Sequence, residues 1–376
     1  MKTMIALVSD QRMQNVIPIL QDGAQYQELV LVMSKERSTG KPLKRYEDSA
    51  NDLKVVLSDY LNVTLSNMYV DPYDIDAARA TIASLIHEQG KPETVVVNIS
   101  GGTKPMAIGA FQAAQGIGSE SVYTNTEDGE IIRLSPNGAV HTEKIRVIGL
   151  DVPFYIRAYG ETVREAKPAA TLDSREIKWA RMIAENHEIL YKKVINPLTS
   201  QIKKGAGPPF CYSITPTRRQ RPIIRRLAEA GLWSWDDASN EITVTDRSRA
   251  NFLNGLWIEV YVAIQLEETG YFDDVRLNVT LEGVEGEIDV VAVSNGRIVL
   301  LECKSNVQRS EQLNKLDAFR RRLGGPFAHA YYARGSDAYA GQIRSQVKKI
   351  RLNGVFFGPE LRELGYTIAK KMGVAP

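Results

Sequence analysis

The segment from Gly286 to Asn306, GEIDVVAVSNGRIVLLECKSN, constrains the fold more than any other part of the 376-residue chain. Its Asn295-Gly296 dipeptide lies between two runs of apolar, mostly β-branched residues. That arrangement is typical of a β-hairpin closed by a two-residue type I′ turn. If these two residues form the turn, Ser294 pairs with Arg297, and the register of the whole hairpin follows from that pair.

This register has a chemical consequence, because side chains alternate between the two faces of a strand. It places Asp289 opposite Glu302 and Glu287 opposite Lys304, with all four side chains on one face. The intervening apolar residues are predicted to point the other way, into a core: Ile288, Val290, Leu301 and Cys303.

Two carboxylates directly opposite each other in a sheet repel, so Asp289 facing Glu302 indicates a function. A divalent cation between them removes the penalty, and Mg²⁺ accepts carboxylates together with water and phosphate oxygens. Lys304 can stabilise the charge that develops on an attacked phosphate. The hairpin therefore predicts metal-assisted phosphodiester hydrolysis. The alternative is a solvent-facing polar strand that carries a Glu287–Lys304 pair.

The same residues resemble the PD-(D/E)xK, or restriction-endonuclease-like, nuclease superfamily. Asp289 matches the strand acid, and Glu302-Cys303-Lys304 matches the E-x-K element, although Ile288 stands where the strict motif has proline. The resemblance implies another carboxylate on the preceding helix, and Glu259 in GLWIEVYV fits it. The implied metal ligands are Asp289, Glu302 and Glu259, with Lys304 as a further catalytic group. Possible accessory residues are Glu287 and Gln312.

Residues 1–150 alternate between two hydrophobic periods. Apolar, β-branched segments alternate with helix-like stretches, which predicts an α/β domain with a parallel sheet. The predicted strands are Met4–Ser9, Glu28–Ser34, Thr94–Ser100, Glu120–Thr126 and Glu130–Ser135, and the predicted helices cover 43–60, 75–89 and 105–115.

A glycine-containing loop follows the third of these strands. The sequence VVVNISGGTKP leads from the strand through Ser100, Gly101, Gly102, Thr103 and Lys104 into a helix. Glycines allow close backbone approach, and a helix N-terminus offers free N–H groups and a positive dipole end. The spacing matches neither a P-loop nor a dinucleotide fingerprint. A phosphate or nucleotide site is predicted here, with a plain strand–helix turn as the alternative.

Polar residues also follow the first two strands. Because strand carboxyl ends meet at one edge of an open parallel sheet, we expect them to gather beside the Gly101–Lys104 loop. With that loop, the predicted ligand-binding set is Ser9, Asp10, Gln11, Asn15, Ser34, Lys35, Asn98, Ser100, Gly101, Gly102, Thr103 and Lys104.

The SGGTKP stretch and the polar end of the first strand resemble the CARF domain of CRISPR-associated proteins, a Rossmann-like domain. CARF first and PD-(D/E)xK last is the order of the CRISPR ancillary nucleases. The resemblance implies a homodimer activated by a cyclic oligoadenylate, in particular cyclic tetra-adenylate, in type III CRISPR antiviral defence. It also implies Mn²⁺ or Mg²⁺ as cofactor, and an activity that cuts single-stranded RNA or DNA or nicks duplex DNA.

The middle of the chain is less specific. We expect a CARF domain over 1–150, a helical, winged-helix-like connector over 151–249 and a restriction-endonuclease-like α/β domain over 250–376. The winged-helix-like part has a helix, Arg221–Ala230, ended by Gly231, and two strands, Leu232–Trp235 and Glu241–Thr245. An arginine run accompanies the helix: Arg218, Arg219, Arg221, Arg225 and Arg226.

Two other functions remain open on sequence grounds. The arginine run and the wing also suit a ligand-responsive transcription regulator without nuclease activity. The N-terminal domain could instead degrade its own ligand as a ring nuclease, although no histidine or evident base lies in its loops.

Bulk properties restrict the setting of the protein. The net charge of +2 neither demands nor excludes a nucleic-acid partner, and Cys211 and Cys303 make neither a disulfide framework nor a zinc ribbon. No apolar run approaches the roughly 20 residues that span a bilayer, so no membrane association and a cytoplasmic location are expected.

Overall fold

We analysed a computed structural model of the chain, which describes residues 2–22, 25–147, 149–204, 207–305 and 310–375. Two large mixed sheets, one in each half of the chain, are joined by a mainly helical middle segment that carries a small third sheet. This is the mixed α/β class that the sequence predicts. Within the described residues, no helix is both long and apolar enough to cross a membrane.

The N-terminal half forms a seven-stranded sheet flanked by helices. Its elements are β1 (Lys2–Leu7), α1 (Met13–Asp22), β2 (Tyr26–Val32), α2 (Lys44–Leu57), β3 (Asn62–Leu65), α3 (Ile75–Glu88), β4 (Val95–Asn98), α4 (Lys104–Ile117), β5 (Glu120–Asn125), β6 (Glu130–Leu134) and β7 (Val140–Lys144). The strand order is β3-β2-β1-β4-β5-β6-β7, parallel from β3 to β5 and antiparallel beyond. The predicted parallel sheet is confirmed.

The sequence did not reveal three of these elements. Strand β3 is only four residues long, and β7 (VHTEK) is mostly exposed and polar, so neither shows a buried apolar run. Helix α1 contains Pro18, a residue that usually argues against a helix interior.

The middle segment combines helices with a small antiparallel sheet. Its elements are α5 (Val152–Ala158), β8 (Val163–Pro168), α6 (Ser174–Glu185), α7 (His187–Leu190), α8 (Asn196–Lys204), β9 (Phe210–Ser213), α9 (Gln220–Glu229), β10 (Ser234–Asp236), β11 (Glu241–Val244) and α10 (Arg247–Asn251). Strands β10, β11 and β9 form the sheet beside α9, as a winged-helix-like module would. Gly231 follows α9 with φ of 82°, as expected of a glycine that ends a helix.

The C-terminal half forms a six-stranded mixed sheet. Its elements are α11 (Trp257–Glu267), β12 (Asp274–Leu281), β13 (Glu287–Ser294), β14 (Arg297–Lys304), α12 (Ser310–Arg322), β15 (His329–Arg334), α13 (Ala340–Lys349), β16 (Gly354–Phe357) and α14 (Leu364–Lys371). The strand order is β16-β15-β14-β13-β12-β8. Strand β8 lies in the stretch predicted as a connector, yet it pairs with β12 at the edge of this sheet.

The two halves share a core. One cluster of buried side chains runs from the N-terminal sheet through α5 into the C-terminal sheet. At the tip of the β13–β14 hairpin, a Cβ added to Gly296 would lie 2.4 Å from Ile17 Cδ1 and 3.4 Å from Met13 Cβ. Helix α1 therefore packs directly against the hairpin turn, and only glycine leaves room for this contact.

Candidate functional site

The β13–β14 hairpin has the predicted turn and register. Asn295 and Gly296 have φ of 48° and 73°, the positive values that a type I′ turn requires. Five cross-strand pairs follow, from Ser294 with Arg297 to Val290 with Leu301. The local prediction is confirmed over this part of the hairpin.

The pairing ends one position before the two acids. The predicted backbone pairs Asp289–Glu302 and Glu287–Lys304 are absent from the ladder between the described strands. The prediction that Ile288 and Val290 share a face is wrong: Ile288 packs with Val291 in the core shared with the N-terminal half, whereas Val290 packs with Leu301 and Cys303.

The neighbouring strand is also irregular at this level of the sheet. Pairing between β12 and β13 skips the position where Asn278 would oppose Asp289, and Asn278 has a left-handed φ of 54°. A residue with positive φ interrupts regular strand geometry. Beside this irregularity, the side chain of Asp289 turns toward the end of β14.

Asp289, Glu302 and Lys304 meet at that end. Asp289 is 3% exposed, and its Oδ2 accepts hydrogen bonds from the backbone N–H of Cys303 at 2.6 Å and from Lys304 Nζ at 2.9 Å. Lys304 Nζ also lies 2.8 Å from Glu302 Oε1. The ammonium group thus bridges the two acids that the sequence analysis placed face to face.

This cluster has more acidic than basic groups, and the pKa values of several of its members are shifted. Burial, together with the nearby charge of Asp289, raises the pKa of Glu302 to about 7 and that of Glu259, on α11, to about 8. Burial alone would lower the pKa of Lys304, but the carboxylates of Asp289 and Glu302 offset it and raise the pKa instead. The lysine is therefore positively charged throughout the working pH range.

The two possible accessory residues, Glu287 and Gln312, differ in their exposure to solvent. Glu287 is exposed, and its charge contributes to the field at Glu259. Gln312, on α12, is half-buried, and its Oε1 has no hydrogen-bond partner among the described residues. Lys315, one turn further along α12, is not among the predicted site residues, yet its charge acts on Glu302 and its side chain lies against Gly286. Its signal was the helical spacing from Gln312.

The hairpin acids were tested as ligands of a divalent cation. Among the described residues, no group of three or more His, Cys, Asp or Glu side chains is arranged to hold a metal ion. The chemistry of the donors nevertheless fits a hard divalent cation, because Asp289, Glu302 and Glu259 place carboxylate oxygens around a partly buried region of excess negative charge. Burial, and after it the charge of Asp289, raises the pKa values of Glu302 and Glu259, and the single ammonium group of Lys304 only partly offsets this.

At the predicted ligand edge, part of the set is buried support for the loop. Asn98 Nδ2 donates to the carbonyl of Gln14 at 2.9 Å and to Asn15 Oδ1 at 3.0 Å, and its Oδ1 accepts from the N–H and hydroxyl of Ser100. Asn15 and Asn98 are fully buried. Ser34 is also buried, with its hydroxyl 3.2 Å from Met106 Sδ.

The glycine-containing loop approaches β1 closely. A Cβ on Gly101 would lie 2.0 Å from the carbonyl oxygen of Leu7 and 3.4 Å from Ser9 Oγ. Gly102 has φ of 70°, and Thr103 caps α4 by accepting a hydrogen bond from the N–H of Met106 at 3.4 Å. The loop and the end of β1 therefore form one surface, as predicted.

The remaining predicted ligand residues are accessible. Lys104 and Asp10 are exposed, and Ser9, Gln11 and Lys35 are half-buried. These side chains and the α4 N-terminus are the groups that can meet a ligand.

The arginine run is only partly available to nucleic acid. Arg221 and Arg225 both form ion pairs with Asp237, which follows β10. Arg218, Arg219 and Arg226 are exposed. The run therefore combines three exposed arginines with two that are paired with Asp237.

Comparison with known proteins agrees with a sensor domain followed by a nuclease domain. Residues 3–151 match the family model of the Card1 CARF domain, and residues 246–367 match that of the Card1-like endonuclease domain. The chain belongs to the CRISPR-associated CARF-domain nucleases. No curated protein sequence matches it.

Solved structures share the fold over most of the chain. Protein VC1899 from Vibrio cholerae has a TM-score of 0.77 at 18% identity, over 99% of this chain and 98% of that one. Can2 from Sulfobacillus thermosulfidooxidans, solved in complex with cyclic tetra-adenylate, has a TM-score of 0.71 at 18% identity, over 99% and 97%. A type III CRISPR defence DNA nuclease activated by cyclic oligoadenylate has a TM-score of 0.52 at 15% identity, over 89% and 45%.

Proposed function

We propose that this chain is a homodimeric nuclease of type III CRISPR defence that becomes active when cyclic tetra-adenylate binds its CARF domain. It hydrolyses phosphodiester bonds in single-stranded DNA or RNA, or nicks duplex DNA, with Mn²⁺ or Mg²⁺. The endonuclease family match supports the activity, and the likeness to Can2 supports the ligand.

One observation carries the link between ligand and chemistry. Helix α1 begins two residues after Gln11, which belongs to the predicted ligand-binding segment that follows β1, and its Met13 and Ile17 pack against Gly296 at the hairpin tip. The other end of the same hairpin holds Asp289, Glu302 and Lys304. A shift of the segment between β1 and α1 can therefore be transmitted through α1 and the hairpin to the acids.

The dimer follows from symmetry. A cyclic tetranucleotide has two-fold symmetry, and an isologous dimer presents the same loop to each half of it. The exposed side chains of Lys104 and Asp10 are suited to the phosphates and bases of such a ligand, and the positive end of the α4 dipole adds to the attraction for phosphate. The ligand activates only by preferring one of two arrangements of the protein.

The nuclease site divides its work among four residues. Asp289, Glu302 and Glu259 would hold the divalent cation, which when bound supplies charge neutralisation and a water of lowered pKa. Lys304 keeps its positive charge beside the acids and can orient a water or a phosphate oxygen. With a pKa of about 8 in the absence of a cation, Glu259 holds a proton at neutral pH.

The test combines both sites. Purified protein is incubated with single-stranded DNA, single-stranded RNA or supercoiled plasmid, with Mn²⁺, Mg²⁺ or EDTA, and with a panel of cyclic oligoadenylates. We expect cleavage only where a divalent cation and cyclic tetra-adenylate are both present. Cleavage without the ligand would contradict activation by cyclic tetra-adenylate. Ligand binding without cleavage of any substrate would contradict the nuclease activity.

A further inference from the structure

Three aromatic rings form a continuous stack that the proposed chemistry does not use. His187, on α7, stacks on Tyr191 with ring centroids 4.6 Å apart and on Trp257 with centroids 5.3 Å apart, with planes within 29° of parallel in both contacts. Trp257 is fully buried, His187 is 6% exposed and Tyr191 is half-buried. The stack thus runs from the core to the surface, and Tyr191 is its outermost ring.

The stack borders a cavity beside the nuclease site. The cavity has a volume of about 230 Å³, and its lining includes His187, Tyr191, Lys192, Gly335, Ser336 and Asp337. The backbone N–H of Gly335 donates to the carbonyl of Lys304 at 3.1 Å. The cavity therefore lies at the carboxyl ends of β15 and β16, directly beside the end of β14 that carries the proposed catalytic lysine.

Gly335 joins the stack to this edge of the sheet. A Cβ at this position would lie 3.0 Å from His187 Nε2 and 3.1 Å from the Trp257 ring. The close packing holds the stack against the strand ends. Tyr191 itself begins a π-helical turn, Tyr191–Ile195, a distortion often found at functional sites.

The lining suits an uncharged aromatic ligand with a polar edge. Burial lowers the pKa of His187 to about 4, so its ring is neutral at working pH and adds no positive charge to the stack. Asp337 and Ser336 supply hydrogen-bond acceptors at the rim, where the amino groups of a base could donate. Lys192 supplies a positive charge toward the backbone of a nucleic acid.

We propose that this cavity binds one unpaired nucleobase of a single-stranded substrate, stacked on Tyr191, next to the phosphate that the hairpin cleaves. The inference rests on the proposed nuclease function and specifies its substrate class. Aromatic rings stack on bases of single strands because every base offers a π-face, whereas the bases of a duplex are already stacked on each other. The subsite thereby favours single strands over duplex DNA.

The test distinguishes the contribution of the Tyr191 ring to substrate binding from that of its hydroxyl. KM and kcat for a single-stranded oligonucleotide are measured with the full-length, ligand-activated enzyme and Mn²⁺. Tyr191→Ala is expected to raise KM about tenfold, within the range for loss of one base-stacking contact, with a smaller change in kcat. Tyr191→Phe keeps the ring and should retain the wild-type KM. Tyr60→Ala removes an exposed ring from the N-terminal domain and serves as the matched control.

An abasic scan of the oligonucleotide makes the test independent of folding. One abasic position, at a fixed distance from the cut, should raise KM for the wild type and leave the KM of Tyr191→Ala unchanged. Wild-type KM for a folded Tyr191→Ala variant, or an abasic scan that is flat for the wild type, would overturn the subsite. Absence of cleavage by the activated wild type contradicts the nuclease function instead, so the two failures are distinguishable.

Discussion

The two polar clusters of this chain both lie at strand ends, but they are built in opposite ways. In the N-terminal half, Asn15, Asn98 and Ser100 are uncharged and form hydrogen bonds with one another beneath the Gly101–Lys104 loop. In the C-terminal half, Asp289 and Glu302 are buried charges that repel each other and share one lysine. The first cluster is complete without a ligand, whereas the second needs further positive charge. A CARF domain whose buried polar groups are already paired, and a nuclease site with unbalanced negative charge, fit a protein that is inactive until it is activated.

The largest expected effect concerns the separation of the two functions. Asp289→Ala or Glu302→Ala should lower the cleavage rate by about a thousandfold, because each removes a charge from the reacting centre. Binding of cyclic tetra-adenylate should be unchanged in both variants. The measurement is a cleavage time course beside a binding isotherm, with the exposed Glu285→Ala as control. Wild-type cleavage by Asp289→Ala would show that the acids are misassigned.

The unbalanced negative charge of the nuclease site also predicts a dependence of stability on pH. A carboxyl with a folded-state pKa raised to about 8 favours the folded protein most at low pH, and this contribution is lost as pH rises from about 4.5 to 8. In chelator-treated protein, Glu259→Gln should therefore stabilise relative to wild type, by up to a few kcal/mol, increasingly from pH 5 to pH 8. Chemical denaturation across this range measures it.

Two outcomes decide that prediction. Added Mn²⁺ should reduce the difference between Glu259→Gln and wild type, because a cation stabilises the ionised acid. A difference that is constant with pH would contradict the electrostatic account. The exposed Glu285→Gln supplies the baseline.

The contact between the two halves can be weakened at the hairpin tip. Gly296→Ala places a Cβ against Ile17 in a left-handed position, whereas Gly138→Ala has a similar φ of 83° and open space. Both variants bear the backbone cost of about 1–2 kcal/mol, and Gly296→Ala adds about 1–3 kcal/mol from overpacking. The extra loss, measured by denaturation, should come with reduced ligand-stimulated cleavage. Equal behaviour of the two variants would exclude the tip as a coupling contact.

The smallest expected effect distinguishes a residue that supports the ligand-binding loop from one that contacts the ligand. Asn98→Ala leaves buried polar groups without partners and should cost about 1–3 kcal/mol of stability. Lys104→Ala, at an exposed position, should change stability by less than about 0.5 kcal/mol, yet weaken ligand binding about 10- to 100-fold. Thermal unfolding and calorimetric titration separate the two effects. A reversed pattern would mean that Asn98 contacts the ligand and Lys104 does not.

The sequence predicts what local chemistry determines. Asn295-Gly296 specifies a turn whose φ values are fixed by the two residues themselves, and the register over the adjacent five pairs follows from it. Likewise, Gly101 and Gly102 mark a loop that only glycine can make. Such features depend on neighbours in the chain and can be inferred without tertiary structure.

Features set by distant contacts were not predictable. The break in pairing at Asp289 coincides with an irregularity at Asn278 of the neighbouring strand, and nothing in the hairpin sequence indicates it. The pairing of β8 with β12 joins segments more than 100 residues apart. The stack of His187 on Trp257 also links residues far apart in the chain, so neither residue alone signalled a site.

The most direct test follows cleavage and binding together. Single-stranded DNA is incubated with Mn²⁺ and increasing cyclic tetra-adenylate, and the cleavage rate is plotted beside the fraction of protein that holds the ligand, for wild type and for Asp289→Ala. We predict that wild-type cleavage rises from background in proportion to occupancy, while Asp289→Ala shows the same binding curve and no cleavage. Cleavage that is independent of occupancy, or that survives in Asp289→Ala, would contradict the coupling of these two sites.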